Sequence, residues 1–249
     1  MRLVASMIVR NELDRYLQLS IDHLLTFCDE VRILDDHSTD GTFEWLGSYN
    51  KPAIVKLNPG LSFFEHEGVA RQALLEWTML AKPDYVLSID ADEFVGDPDF
   101  VQEALTHGWD SYTLMMDEVW SATPEKLRVR VDGLWGRRPC PILWRAPSTL
   151  GGDWVIADRK LACGREPLAV RHTRRKPSGS LILHFGWARR AERDDRAERY
   201  AIHDRGAFHS NEHLQSILWP DEKVQLAEEP WPVGLEPLAT KIAERAGRP

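Results

Sequence analysis

The chain has 249 residues, of which 43% are hydrophobic and 28% charged, and its formal net charge is -8. That length can bury a full core without metal or disulfide staples, the acidic balance argues against a stripe-like nucleic-acid binder, and no apolar run approaches the roughly 18 residues of a membrane span. Cys28, Cys140 and Cys163 are odd in number and widely spaced, which predicts neither a disulfide framework nor a zinc knuckle and sets the expectation of a reducing cytoplasm.

The opening MRLVASMIVRNE holds an apolar run too short for a signal peptide and with the length of a buried strand, Leu3 to Val9. Asn11 then offers a helix N-cap with Glu12 and Asp14 in the first turn, and Leu13, Tyr16, Leu17, Ile21, Leu24, Leu25 and Cys28 recur at helical spacing. Val31 to Leu34 reads as a second strand running into the turn-former cluster Asp35 to Gly41. Thr42 to Tyr49 reads as a short helix and Ala53 to Leu57 as a third strand. Val69, Ala73, Leu74, Trp77 and Leu80 mark a longer helix that stops before Pro83. Tyr85 to Ile89 is the fourth strand and ends in Asp90-Ala91-Asp92-Glu93. Alternating strands and helices predict an α/β fold, a Rossmann-like and mainly parallel sheet with helices on both faces. Ligands of such sheets sit beyond the carboxyl ends of the strands, where Arg10 to Glu12, Asp35 to Asp40 and Asp90 to Glu93 all fall.

The second half is less regular. Tyr112 to Met116, Ile142 to Trp144 and Leu181 to Leu183 read as strands, the last ending at His184. Glycines and prolines break the region up, Ala188 to His203 reads as an exposed helix, and the segment from Trp219 reads as a surface strap or tail.

Alternate residues leaving a strand can aim two carboxylates, Asp90 and Asp92, at one site, and a divalent cation relieves their repulsion. Mg²⁺ and Mn²⁺ take oxygen ligands and bridge carboxylates to a diphosphate. In the second loop Asp36 suits a ligand contact, while Asp40 suits the cap of the following helix.

Together V-R-N-E, I-L-D-D-H-S-T-D-G-T and Y-V-L-S-I-D-A-D-E resemble a family 2 glycosyltransferase of the GT-A fold, well over residues 1–100 and more weakly through Leu181 to Trp187. The resemblance implies a nucleotide-sugar donor (UDP- or another NDP-sugar), Mn²⁺ or Mg²⁺ on the D-x-D, and transfer of a hexosyl or related group to an acceptor hydroxyl with inversion. By the same resemblance Val9, Arg10, Asn11, Glu12 and Asp36 hold the nucleoside, and Asp90 and Asp92 hold the metal and donor. Arg71, in a segment similar to the family's A-R-N helix, is expected to reach the diphosphate or to pair with the D-x-D acids. His184 is expected to complete the metal shell. The family's base is an Asp, often in a Glu-Asp pair, and no such pair stands in the expected region. Asp153 in G-G-D-W is the first candidate, followed by Asp158 and then Asp132. Trp135, Trp154 and Trp187 are either sugar-stacking walls or core.

The expected organisation is a nucleotide-sugar-binding half over residues 1–108, an acceptor and catalytic half over 109–218 and a C-terminal strap or tail over 219–249. The acceptor is open: a protein, a glycan, a lipid carrier or modified nucleic acid. The basic clusters Arg171 to Lys176 and Arg189 to Arg193 leave room for an anionic one. Two alternatives stand beside the transferase. A sugar nucleotidyltransferase needs a Gly-rich phosphate loop after the first strand, where this chain has Arg10-Asn11-Glu12-Leu13. A non-catalytic nucleotide- or carbohydrate-binding module of the same fold has no need of Asp36, Asp90 and Asp92.

Overall fold

The computed structural model describes residues 1–249 apart from Pro59, residues 158–162, residues 205–208, Pro249 and the side chain of His172. In chain order its elements are β1 (Leu3–Val9), α1 (Leu17–Leu24), β2 (Glu30–Asp35), α2 (Thr42–Tyr49), β3 (Ala53–Lys56), α3 (Glu67–Met79), β4 (Tyr85–Ser88), β5 (Glu93–Val95), α4 (Pro98–Thr106), β6 (Ser111–Ala122), β7 (Leu127–Arg130), β8 (Arg138–Arg145), β9 (Arg175–His184), α5 (Arg190–His203), α6 (Asn211–Ser216), β10 (Leu226–Glu229) and α7 (Ala239–Ala246), with short 3-10 turns between some of them. The chain divides into two compact units. The first is Met1–Ala91, Pro98–Leu114 and Pro141–Ser178; the second is Asp92–Asp97, Met115–Cys140 and Gly179–Pro249.

In the first unit β1 lies between β2 and β4, parallel to both, and β3 extends the sheet beyond β2, again parallel. Tyr85, Val86 and Leu87 of β4 pair with Arg145, Trp144 and Leu143 of β8 in the antiparallel sense. Both faces of β1 are covered, so its residues read as one apolar run rather than an alternation. On α3, Leu74 packs with Leu34, Leu57 and Ala70, while Leu75 packs with Val86, Trp144, Ile156 and Val170. A wide apolar stripe thus lets one helix serve two clusters.

The register places Val9 opposite Asp35 and Ser6 opposite Ser88, so β1, β2 and β4 end toward the same edge. The helix expected to start at Asn11 begins only at Leu17. Asn11 has a positive φ of 56°, and the amides that a helix start would leave free are taken by the next loop. Asn11 N–H donates to Ser38 Oγ at 3.0 Å, Glu12 N–H to Thr42 Oγ1 at 2.9 Å and Leu13 N–H to Asp40 Oδ2 at 3.1 Å. Asn11 Oδ1 accepts the Thr39 N–H at 2.8 Å. The side chain that suits an N-cap in sequence is therefore a loop staple.

In the second unit β5 pairs antiparallel with the end of β9, with Glu93 opposite His184 and Val95 opposite Ile182. The later part of β6 pairs with β7, and β7 with β10, both antiparallel. A register shift between Val119 and Ser121 marks a bulge. Trp120, Trp187, Ile217 and Val224 form the core beneath it. Toward the C-terminus Leu235 and Ile242 are buried, so that segment contributes packing as well as surface.

Candidate active site

At the sheet edge of the first unit, Asp36 follows β2 directly. Its N–H donates to Val9 O at 2.8 Å, which locks it beside the end of β1. The carboxylate is fully buried. Its Oδ2 accepts the Phe63 N–H at 3.2 Å and the Arg10 guanidinium at 3.3 Å. Its Oδ1 is buried and has no partner among the described residues. Burial raises the Asp36 pKa against the lowering pull of the Phe63 amide and Arg10. A buried acceptor left open costs free energy unless a ligand donor fills it. Asp40 plays the structural part expected of it, since its Oδ1 accepts the Thr42 N–H at 2.9 Å and the Thr42 hydroxyl at 2.6 Å.

Asp90 accepts a hydrogen bond from Arg165 Nη2 at 2.6 Å. It is Arg165, not Arg71, that pairs with this acid of the D-x-D. Arg71 is buried on α3, donates to Glu67 Oε1 at 2.7 Å and lies over the Phe63 ring. Its i, i+4 partner fixes it along its own helix, a bond that sequence spacing alone could have flagged. Both arginines line one pocket with Ser6 and Ser88, whose hydroxyls lie 3.3 Å apart.

The second unit opens with Asp92, which is buried. Its Oδ2 stands 3.4 Å from His184 Nε2 and 4.0 Å from Arg196 Nη2. The Asp92 carbonyl accepts the Phe185 N–H at 2.8 Å, an extension of the β5–β9 pairing that brings His184 alongside. His184 Nδ1 is hydrogen-bonded to Glu118 Oε2. Glu118 is fully buried on β6, and its Oε1 accepts the Trp135 indole N–H at 2.8 Å and pairs with Arg138. Burial works against a charged imidazole at His184, but Glu118 and Asp92 outweigh it and hold the pKa well above the usual histidine range. Burial likewise works against the Glu118 carboxylate, and His184 with Arg138 and Arg196 outweighs it and holds its pKa low.

Gly186 forms the floor of this cluster. A Cβ there would lie 2.6 Å from His184 Nε2 and 2.7 Å from Asp92 Oδ2, and would also strike the Arg196 guanidinium. Gly186→Ala is therefore expected to push the two ligand-type atoms apart. Over-packing of this kind costs about 1–3 kcal/mol, and the variant should unfold at a lower urea midpoint than the unaltered protein. An unchanged midpoint contradicts this reading of the glycine.

Among the described residues no three His, Cys, Asp or Glu side chains are grouped as a self-sufficient metal cage. The chemistry of the donors nevertheless fits a divalent cation completed by substrate oxygens. Asp92 Oδ2 and His184 Nε2, 3.4 Å apart, are the oxygen and nitrogen donors that would hold it. A ligating histidine usually gives its other ring nitrogen to a carboxylate, the place Glu118 holds here.

The carboxylates weighed as base differ. Asp132 is committed, accepting the Arg130 Nε–H at 2.6 Å and the Leu134 and Trp135 amides at 3.0 Å. Asp153 is exposed and follows Gly152, whose φ is 57°. Asp158 lies outside the described residues. Trp187 is core, and Trp154 packs on Trp144 with ring centroids 6.1 Å apart. Glu118, Arg165 and Arg196 had no motif to announce them, whereas Gly186 lies in the Leu181 to Trp187 segment that carries the weaker resemblance.

Four parallel strands, flanking helices and polar loops at one sheet edge define the class, a mixed α/β protein with the Rossmann-like sheet of the GT-A fold. S. aureus TarS 1–349 shares the fold at a TM-score of 0.52, with 17% identity over 88% of this chain and 69% of that one. The same TarS 1–349 in complex with UDP gives a TM-score of 0.51, with 17% identity, 88% of this chain and 70% of that one. No family model matches the chain. The uncharacterized proteins Rv3786c of Mycobacterium tuberculosis and Mb3815c of Mycobacterium bovis are each 26% identical to it over 204 residues, 75% of this chain and 47% of theirs. The chain thus spans about half the length of these curated relatives. No helix among the described residues is long and apolar enough to cross a membrane.

Proposed function

We propose that the chain is a metal-dependent glycosyltransferase that moves a sugar from a nucleoside-diphosphate donor, UDP in the first instance, to an acceptor hydroxyl. The observation that carries the reading is Asp92 facing a histidine whose far nitrogen is fixed by a buried carboxylate. The fold shared with TarS, which has been crystallised with UDP, supports the choice of nucleotide.

In this reading Asp92 and His184 hold Mn²⁺ or Mg²⁺, with Asp90 two residues away in the chain, and the donor diphosphate supplies further oxygens. When bound, the cation would neutralise the charge that grows on the departing nucleotide. Asp36, Val9, Arg10, Asn11 and Glu12 take the nucleoside, Asp36 through its open Oδ1. A hydrogen bond to a charged group is worth about 1.5–3 kcal/mol. Asp36→Ala is thus expected to weaken UDP binding by roughly ten- to a hundredfold by calorimetry. Unchanged affinity removes Asp36 from the donor site.

The direct test is a panel of nucleotide sugars screened for donor hydrolysis with Mn²⁺ or Mg²⁺. Metal-dependent release of a nucleoside diphosphate is the expected result. UDP binding without turnover of any donor would favour the non-catalytic module.

A further inference from the structure

In the first unit, what leaves one oxygen of Asp36 open is the grip on the other. Asp36 Oδ2 accepts the Phe63 N–H at 3.2 Å and Arg10 Nη1 at 3.3 Å, and the same Arg10 nitrogen donates to Ser62 Oγ at 3.3 Å. The carboxylate can turn only by breaking these bonds, and Oδ1 is the buried oxygen without a partner among the described residues. Phe63 is itself held against α3. The Arg71 guanidinium lies over its ring, with Cζ 5.0 Å from the centroid, within range for the ring face to attract the charge. Phe64 meets the ring edge-on at 5.4 Å, and Phe63 packs against the cluster of Leu34, Leu57, Ala70 and Leu74. The Ser62 carbonyl accepts the His66 N–H at 2.8 Å, which joins this turn directly to the start of α3. Arg71 is fixed in its turn. Its Nε donates to Glu67 Oε1 at 2.7 Å, and the other oxygen of Glu67 accepts the Cys163 N–H at 3.2 Å. The Arg71 side chain is 9% exposed. An unbroken series of contacts therefore runs from Glu67 through Arg71 and Phe63 to Asp36.

We propose that Arg71 is a positioning residue of the donor site: held by Glu67, it fixes the Phe63 ring, which keeps the Phe63 amide on Asp36 Oδ2 and leaves Oδ1 open for the nucleoside. The inference rests on the reading above in which Asp36 takes the nucleoside, and it replaces the expectation that Arg71 reaches the diphosphate. A carboxylate oxygen is an acceptor, and a nucleoside offers it base N–H and ribose hydroxyl donors. Fixing that oxygen before the ligand arrives reduces the ordering that binding has to impose. Arg71 thus adds to nucleoside affinity through Phe63, without touching the ligand.

Calorimetry with uridine and with UDP, both in the presence of Mn²⁺, separates the two roles, because only UDP carries the diphosphate. Arg71→Met keeps much of the side-chain length and removes the charge. It is expected to weaken uridine and UDP by the same factor, about three- to tenfold, less than Asp36→Ala does. Phe63→Leu leaves the Arg71–Glu67 pair intact but offers no ring face, and it should give the same equal loss. Phe63→Tyr restores the ring and should bind like the unaltered protein. In an Asp36→Ala background Arg71→Met should make no further difference to either affinity, since both changes act on one contact. Weaker UDP binding with uridine affinity unchanged would put Arg71 on the diphosphate and overturn the proposal. Normal affinity for both ligands in Arg71→Met and Phe63→Leu, each with an unchanged circular dichroism spectrum, would overturn it too and leave Arg71 to packing. If Asp36→Ala binds uridine as the unaltered protein does, or the unaltered protein binds neither ligand, the donor-site reading itself fails and the positioning role falls with it.

Discussion

Asp92→Ala is expected to abolish metal-dependent turnover and to leave the strands in place. The side chain ends the turn between β4 and β5, where the chain is held by backbone bonds that survive its removal, including Phe185 N–H to Asp92 O. What is lost is the carboxylate whose Oδ2 faces His184 Nε2. Glu118 and Asp92 hold the His184 pKa above the usual histidine range, so a cation taken up at Nε2, as proposed, would displace a proton. Mn²⁺ titrations of the unaltered protein in buffers of different ionisation enthalpy should therefore report release of about one proton. Asp92→Ala should show neither the heat of binding nor the release, with an unchanged far-ultraviolet circular dichroism spectrum. Full donor turnover in EDTA is the result that defeats this picture.

Glu118→Ala is expected to have the largest effect on stability. Glu118 is fully buried and meets His184, Arg138 and the Trp135 indole. Removing one partner of a buried ionic group strands the others, at a cost of about 3–5 kcal/mol. Urea denaturation of the metal-free protein would show this as a lower midpoint. The double variant Glu118→Leu with His184→Leu removes both charges together and should lose less than the single Glu118→Ala variant. Glu118→Gln separates stability from ligand orientation. It fills the same volume, yet it should lower Mn²⁺ affinity by about 10- to 100-fold, the usual effect of losing a carboxylate behind a ligating histidine. Wild-type Mn²⁺ affinity in Glu118→Gln would show that the His184–Glu118 bond serves packing alone.

Much of the first unit was legible because its signals are local. The run Leu3 to Val9 became β1, and Thr42 to Tyr49 became α2 with the expected bounds. Turn formers after β2 delivered Asp36 to a strand end, and the parallel register then set it beside Val9. The start of α1 was misread for a physical reason. Asn11 has the chemistry of a cap, but Ser38, Thr39, Asp40 and Thr42 compete for that function from a loop about thirty residues away. The pattern gave Arg71 a possible partner in the D-x-D, while the acid it pairs with is Glu67, one helical turn behind it. In the second half, β6 reached from Ser111 to Ala122 where only Tyr112 to Met116 had read as strand. Asp117 and Glu118 interrupt the apolar run there, and the Arg137 and Arg138 partners that make their burial possible lie some twenty residues away.

The sequence by itself determined the order of strands and helices, the α/β class and the candidate loops, because side-chain periodicity and turn chemistry act between residues a few positions apart. It also singled out Asp36, Asp92 and His184, each at the end of an apolar run. Only the tertiary structure decided which side chains complete them. Glu118 meets His184 across 66 positions of chain, and Arg165 meets Asp90 across 75. A buried charge is tolerated only where a partner and its hydrogen bonds arrive together, and that arrival is a property of packing. The same holds for Gly186, whose missing Cβ matters because Asp92 arrives from the distant turn between β4 and β5 beside His184 and Arg196.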